Sequence, residues 1–123
     1  MRFLSLIKSR EDVGPPPSAL MSAIAKFGEE ATRAGVLVET GGLLPSAAGA
    51  RARLSGGNLA VTDGPFAETK ELIGGYAVYD VKSKQEAVEW TSRFLRLHKE
   101  HWPGWEGEAE IRQLFEAPGG GKR

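Results

Sequence analysis

Residues 62–81 read TDGPFAETKELIGGYAVYDV, and the last ten of them decide the fold. Tyr76, Val78 and Asp80 fall on one parity; Ala77, Tyr79 and Val81 fall on the other. Side chains alternate along a strand, so both faces of this one carry apolar groups. A strand of that kind is covered on both sides. Residues 2–8, RFLSLIK, repeat the pattern, with Leu4 and Leu6 on one face and Phe3 and Ile7 on the other. Residues 108–116 alternate as a last strand, where Ile111 and Phe115 oppose Leu114.

Between these strands the spacing predicts two helices. Leu20, Ile24, Phe27, Ala31 and Ala34 recur at helical spacing over 18–34, with Ser18 as the expected N-cap and Gly35 as the left-handed stop. Ser83-Lys84-Gln85-Glu86 is a capping box that opens a helix over 84–98. Its inner stripe is read as Ala87, Val88, Thr91, Phe94 and Leu95. Residues 36–40 form a further strand. Residues 51–54 and 59–62 flank Gly56-Gly57 as a hairpin. The order is β-α-β, hairpin, β-α-β. Two split β-α-β units predict an α+β fold of the ferredoxin-like kind, with both helices on one face of an antiparallel sheet and the hairpin inserted between the halves. One domain is expected over 1–116, with 117–123 as a disordered tail.

Helices cover one face of such a sheet, so the other needs a cover of its own. A second copy related by a two-fold axis supplies it most simply, giving a homodimer. The alternative is that the hairpin and the tail fold over that face.

Composition excludes several classes of function. The 123 residues are 41% apolar, enough for a core without a metal or a disulfide, and none is cysteine. That removes a thiolate nucleophile and a cysteine-ligated zinc, and it fits a reducing cytoplasm. Sixteen basic residues balance sixteen acidic ones, which argues against nucleic acid as the partner. No stretch approaches the ~20 apolar residues of a membrane span, so no membrane association is expected. No phosphate-cradling glycine loop or nucleophile elbow is present, and no cofactor is implied.

Two groups of residues are candidates for chemistry. Asp63 either bonds the backbone of the turn it precedes or stands as a general base in a cleft. Glu68 and Lys70 crowd the same turn, as solvated charges or as an acid/base set beside Asp63. Phe66 is either a core or interface anchor or a ligand platform, and Tyr76 is a candidate to line the same cleft. Arg51 and Arg53 share one strand face, either to bind an anionic group or to protect an edge. Gly74-Gly75 admits a close backbone approach or a bulge. The second group is His98 and His101, at i and i+3 on one helix face. Two histidines without a fixed third ligand are a weak metal signal.

Segment 62–76 also resembles the hallmark of the YCII-related, or DGPF-domain, family. The spacing of AGVLVETGGLLPS at 34–46, RARLSGG at 51–57 and EIRQLFE at 110–116 is similar too. The resemblance implies a ferredoxin-like domain assembled as a dimeric α/β barrel in a bacterial setting. It implies little about activity, since most members have no assigned function. Some lie beside genes for extracytoplasmic-function sigma factors, which implies a non-catalytic module in transcription control as an alternative to a small-molecule site. One branch has a His–Asp pair in a cleft. The first histidine here is His98, so that pair does not carry over.

Overall fold

The computed structural model describes residues 1–67 and 72–116. In chain order these form β1 (Arg2–Ser9), α1 (Ser18–Arg33), β2 (Leu37–Gly42), a 3₁₀ turn (Ser46–Ala48), β3 (Ala50–Ser55), β4 (Asn58–Asp63), β5 (Leu72–Asp80), α2 (Lys84–His101) and β6 (Gly107–Gln113). The chain is a mixed α+β domain. Its main sheet has the order β2-β5-β1-β6, and each of the three neighbouring pairs is antiparallel.

The two-sided strands sort as their parity requires. Phe3, Ser5 and Ile7 stand opposite Tyr79, Ala77 and Gly75 on β5, and all six are buried. Leu4 and Leu6 stand opposite Val78 and Tyr76 on the other face, and these four are half-buried. The inner face meets the helices. Phe3, Val36, Ala77, Tyr79, Val81 and Ala87 form one buried cluster, with Leu37, Trp90 and Ile111 packed on it. Phe27 of α1 closes the layer from above. Its ring centroid lies 5.8 Å from that of Trp90 and 5.8 Å from that of Phe94, both on α2.

The helix ends differ in detail from the sequence reading. Ser18 is the first helical residue of α1, not its cap. Pro17 takes that position, and its carbonyl accepts from the N–H groups of Leu20 at 3.1 Å and Met21 at 3.2 Å. Its fixed φ already suits a helix entry, so no side-chain cap is made. Ala34 ends the helix exposed rather than facing the core. At α2 the Ser83 hydroxyl accepts from Glu86 N–H at 3.1 Å, as the capping box requires. The Glu86 carboxylate accepts from Lys82 N–H at 2.9 Å, one residue ahead of the cap. α2 runs on to His101, because nothing before Pro103 breaks it. Val88 turns outward, and Trp90 joins the core in its place.

The hairpin turns at Gly56 and Gly57, both with positive φ (59° and 81°), where a side chain would be strained. β3 and β4 form a separate two-stranded sheet, and every residue in it is exposed. The hairpin part of the alternative cover is therefore not what is observed, and the tail, 117–123, lies outside the described residues. Phe115 lies beyond β6 and is 78% exposed, so it covers nothing there either.

One polar pair sits inside the apolar layer. Thr91 Oγ1 donates to Ser5 Oγ at 3.2 Å, and both residues are buried. Removing one partner strands the other, whereas removing both leaves an apolar contact. Thr91→Val should lower the unfolding free energy by about 1–2 kcal/mol in urea melts, and Ser5→Ala/Thr91→Val by less than Thr91→Val alone.

Candidate functional site

The DGPF segment, Asp63 to Phe66, forms a corner at the foot of the hairpin. A Cβ on Gly64 would lie 1.8 Å from the Ser46 carbonyl oxygen, so no side chain fits there. Gly64 N–H donates to the Gly49 carbonyl at 2.9 Å, and the Gly64–Pro65 peptide is cis. Phe66 N–H donates to Ser46 Oγ at 3.1 Å. Ser46 Oγ in turn donates to one carboxylate oxygen of Glu11 at 2.8 Å, and Ser46 N–H donates to the other at 2.6 Å. Three segments far apart in sequence thus meet at Ser46, which is 8% exposed.

Asp63 takes no part in this. It is exposed, paired through the backbone with Ala50, and its carboxylate makes no hydrogen bond or ion pair among the described residues. The N–H groups at 64 and 66 go to Gly49 and Ser46, not to Asp63 as the turn reading expects. Arg51 lies with its guanidinium 3.9 Å from the centroid of the Phe66 ring, a cation–π contact. Arg53 shares that hairpin face, opposite Ala60. Glu68 and Lys70 lie outside the described residues. Tyr76 points to the outer sheet face, where its hydroxyl donates to Glu39 at 2.5 Å, and that bond to a carboxylate raises its pKa. The structure therefore brings Phe66 and Arg51 together and leaves Tyr76 apart from them. Gly74 and Gly75 mark an irregularity in the β1–β5 register, and a Cβ on Gly75 would lie 3.1 Å from the Gly41 carbonyl. The close approach there is made by β2.

A second candidate lies elsewhere, between the helices and the inner sheet face. It is a cavity of about 460 Å³, within the roughly 300–1,000 Å³ of small-molecule sites. Ser5, Ile7 and Tyr79 form its floor, with Ile24 and Phe27 of α1 and Phe94 and His98 of α2 above. Its rim includes Glu11 and Pro45. The rim is thereby tied to the DGPF corner through the Glu11–Ser46–Phe66 bonds. Burial pushes the Tyr79 phenol up to about 12.

His98 is the ionisable group on the inner wall that the sequence reading placed differently. Its ring does not join His101 toward an ion. It is 6% exposed and lies between Phe94, at 4.9 Å between centroids, and Trp105, at 4.4 Å. Its Nδ1 bonds the Phe94 carbonyl at 3.1 Å. His101 is half-buried, with its Nε2 4.0 Å from a Glu100 carboxylate oxygen. Among the described residues no three His, Asp or Glu side chains gather as a metal site. Sequence reasoning missed Ser46 and Glu11, whose partners are 20 and 35 residues from Ser46. It had a signal for Ser5, a hydroxyl on the parity of Phe3 and Ile7.

Fold and site together define an α+β domain with an interlayer cavity and a hydrogen-bonded corner on its rim. A family model described as the YCII-related domain matches residues 1–97, and the chain belongs to that family. A protein of Rhizobium meliloti (strain 1021), itself uncharacterised, is 39% identical over 69 residues. The match covers 56% of this chain and 53% of that protein, so it spans about half of either length.

Two outcomes follow from this geometry. Gly64→Ala forces its Cβ into the Ser46 backbone and should cost about 1–3 kcal/mol of stability in urea melts. Asp63→Asn should stay within about 0.5 kcal/mol of the wild type in the same measurement. For His98, burial opposes the charged ring and outweighs the Phe94 carbonyl that favours it, so its pKa is lowered. The unfolded chain then takes up a proton before the folded one as pH falls. The His98 contribution is full above about pH 6.5 and declines below it until the folded ring titrates. Urea stability should fall as pH drops below about 6.5, and His98→Phe should flatten that decline.

Proposed function

We propose that this chain is a homodimeric small-molecule-binding module whose site is the interlayer cavity beside the DGPF corner. The cavity carries the reading. It has the size of a ligand site, a mostly apolar wall, and a few polar groups at fixed positions. The DGPF corner serves it as a buttress of the rim. Among the described residues, no helix is long and apolar enough to cross a membrane.

Homodimer formation is supported by two uncovered surfaces. With the hairpin set aside, the strand order is that of a ferredoxin-like sheet, and such a sheet leaves one face without helices. Here that face has an apolar centre of Leu4, Leu6 and Val78 with charges around it. Lys8 donates to Glu110 at 2.6 Å and Arg112 donates to Glu110 at 3.0 Å. An apolar centre inside a polar rim is the anatomy of an interface. On the hairpin, Ala52, Leu54, Leu59 and Val61 share one face by register. Leu54 is 73% exposed, Leu59 71% and Val61 68%. A two-stranded ribbon is marginal alone, so this arm gains from a partner surface. A second copy covers both surfaces at once, as in a dimeric α/β barrel.

N-phenyl-1-naphthylamine, a neutral dye that brightens in apolar surroundings, should bind saturably to the wild type. Ile24→Trp fills the cavity and should abolish that binding while the fold is kept by circular dichroism. Unchanged dye binding in that variant would place the site elsewhere. Light scattering should report twice the 13.2 kDa of one chain. A species of one chain mass at micromolar concentration would refute the dimer.

A further inference from the structure

We propose that the cavity selects a neutral, ring-sized molecule that donates one hydrogen bond, from an N–H or an O–H, to Nε2 of His98. This rests on the reading of the cavity as a ligand site. It adds which side chain discriminates and what chemistry that side chain accepts.

The inference begins with a proton. The Phe94 carbonyl can only accept, so the bond at 3.1 Å puts a hydrogen on Nδ1 of His98. A neutral imidazole has one such hydrogen, so Nε2 is left as an acceptor. Nε2 has no protein partner among the described residues. No fully buried side-chain nitrogen or oxygen there lacks a partner, so Nε2 reaches accessible space. The space that His98 lines is the cavity. Burial lowers the pKa of the ring and keeps it neutral near neutral pH. The ring is also held in place. Phe94 and Trp105 pack on it, and the Nδ1 bond fixes its rotation. A fixed acceptor discriminates more sharply than a mobile one, because it cannot turn away to another partner.

The rest of the wall argues for a neutral ligand. Arg10 and Glu11 are the only Asp, Glu, Lys or Arg side chains on it among the described residues. Both are engaged: Arg10 Nε donates to Asp12 at 2.7 Å, and Glu11 accepts both Ser46 bonds. Tyr79 stays a neutral phenol, and Ser5 is an uncharged hydroxyl that accepts from Thr91. A charged ligand would leave water without a free counter-charge to meet it, which desolvation penalises. Phe27, Phe94, Trp102 and Trp105 give the wall flat aromatic faces suited to a ring.

Three probes of one bicyclic shape test this. Indole donates one hydrogen bond, indene none, and benzofuran only accepts. In calorimetric or NMR titrations of the wild type, indole should bind at least about tenfold more tightly than indene, and benzofuran no more tightly than indene. In His98→Phe the indole advantage should vanish while indene still binds. Should that variant fail to fold, the imidazole nitrogen spectrum of the unmodified protein gives the same information. The Nε2 resonance of His98 should move with indole and not with indene. Equal affinity for indole and indene, preference for benzofuran, or an unmoved Nε2 would each overturn the proposal. In those cases saturable indene binding leaves the cavity reading standing. If none of the three binds, the cavity reading fails, and this proposal with it.

Discussion

Ser46 is the point at which the architecture is most constrained. Its carbonyl presses against Gly64 so closely that only a hydrogen fits between them. Its hydroxyl links the backbone of Phe66 to the carboxylate of Glu11. Each bond alone is modest, of the order of 1 kcal/mol net, or about 1.5–3 where a carboxylate accepts. Their effect is geometric. They join the β1–α1 loop, the loop after β2 and the foot of the hairpin into one corner. The cavity rim is made of two of those three segments. A loop that closes a cavity is ordinarily mobile. Here its position is set by packing against Gly64, where an added Cβ would overlap the Ser46 carbonyl.

The second constraint comes from the sheet. β1 and β5 are apolar on both faces, so the domain has two surfaces to cover and two helices to do it with. Both helices go to the Phe3–Ser5–Ile7 face. Phe3, Ala77, Tyr79, Val81 and Ala87 join one buried cluster there, and the cavity lies on the same face, bounded toward α2 by His98 and Trp105. The outer face and the hairpin arm remain, and their apolar groups have no cover within the described chain.

Much of this is legible in the sequence, and what is legible is local. The parity of residues 72–81 gives the sheet, Gly56-Gly57 gives the hairpin, and Ser83 with Glu86 gives the start of α2. The DGPF segment gives the family. Its chemistry is another matter. Asp63 is the most conspicuous carboxylate in the motif, yet it bonds nothing among the described residues, while the plain Ser46 organises the corner. Distinctiveness in a sequence marks any position where substitution fails. A glycine jammed against a backbone qualifies as readily as a catalytic acid. His98 and His101 show the same limit from the other side. Helical spacing puts both on one face, but the backbone carbonyl four residues back and two aromatic rings decide where His98 turns. Those partners are set by packing, and spacing does not encode it.

The boundary of the family match sharpens the division between frame and chemistry. The matched residues, 1–97, contain the corner, the hairpin, both walls of the inner layer and most of α2. They stop one position before His98. The groups that give the cavity its polar mark and part of its aromatic wall, His98, Trp102 and Trp105, all come after it. The frame thus lies inside the family match, together with Phe27, Tyr79 and Phe94 of the cavity wall. α2 is what connects the two. Its first turns are fixed by the capping box and by Ala87 in the core, and its last turn carries His98 over the cavity. The carbonyl that sets the imidazole proton belongs to the same helix, one turn earlier. The frame thus delivers an imidazole acceptor with its proton already assigned. That is a basis for selecting among ligands of one shape that differ by one hydrogen bond.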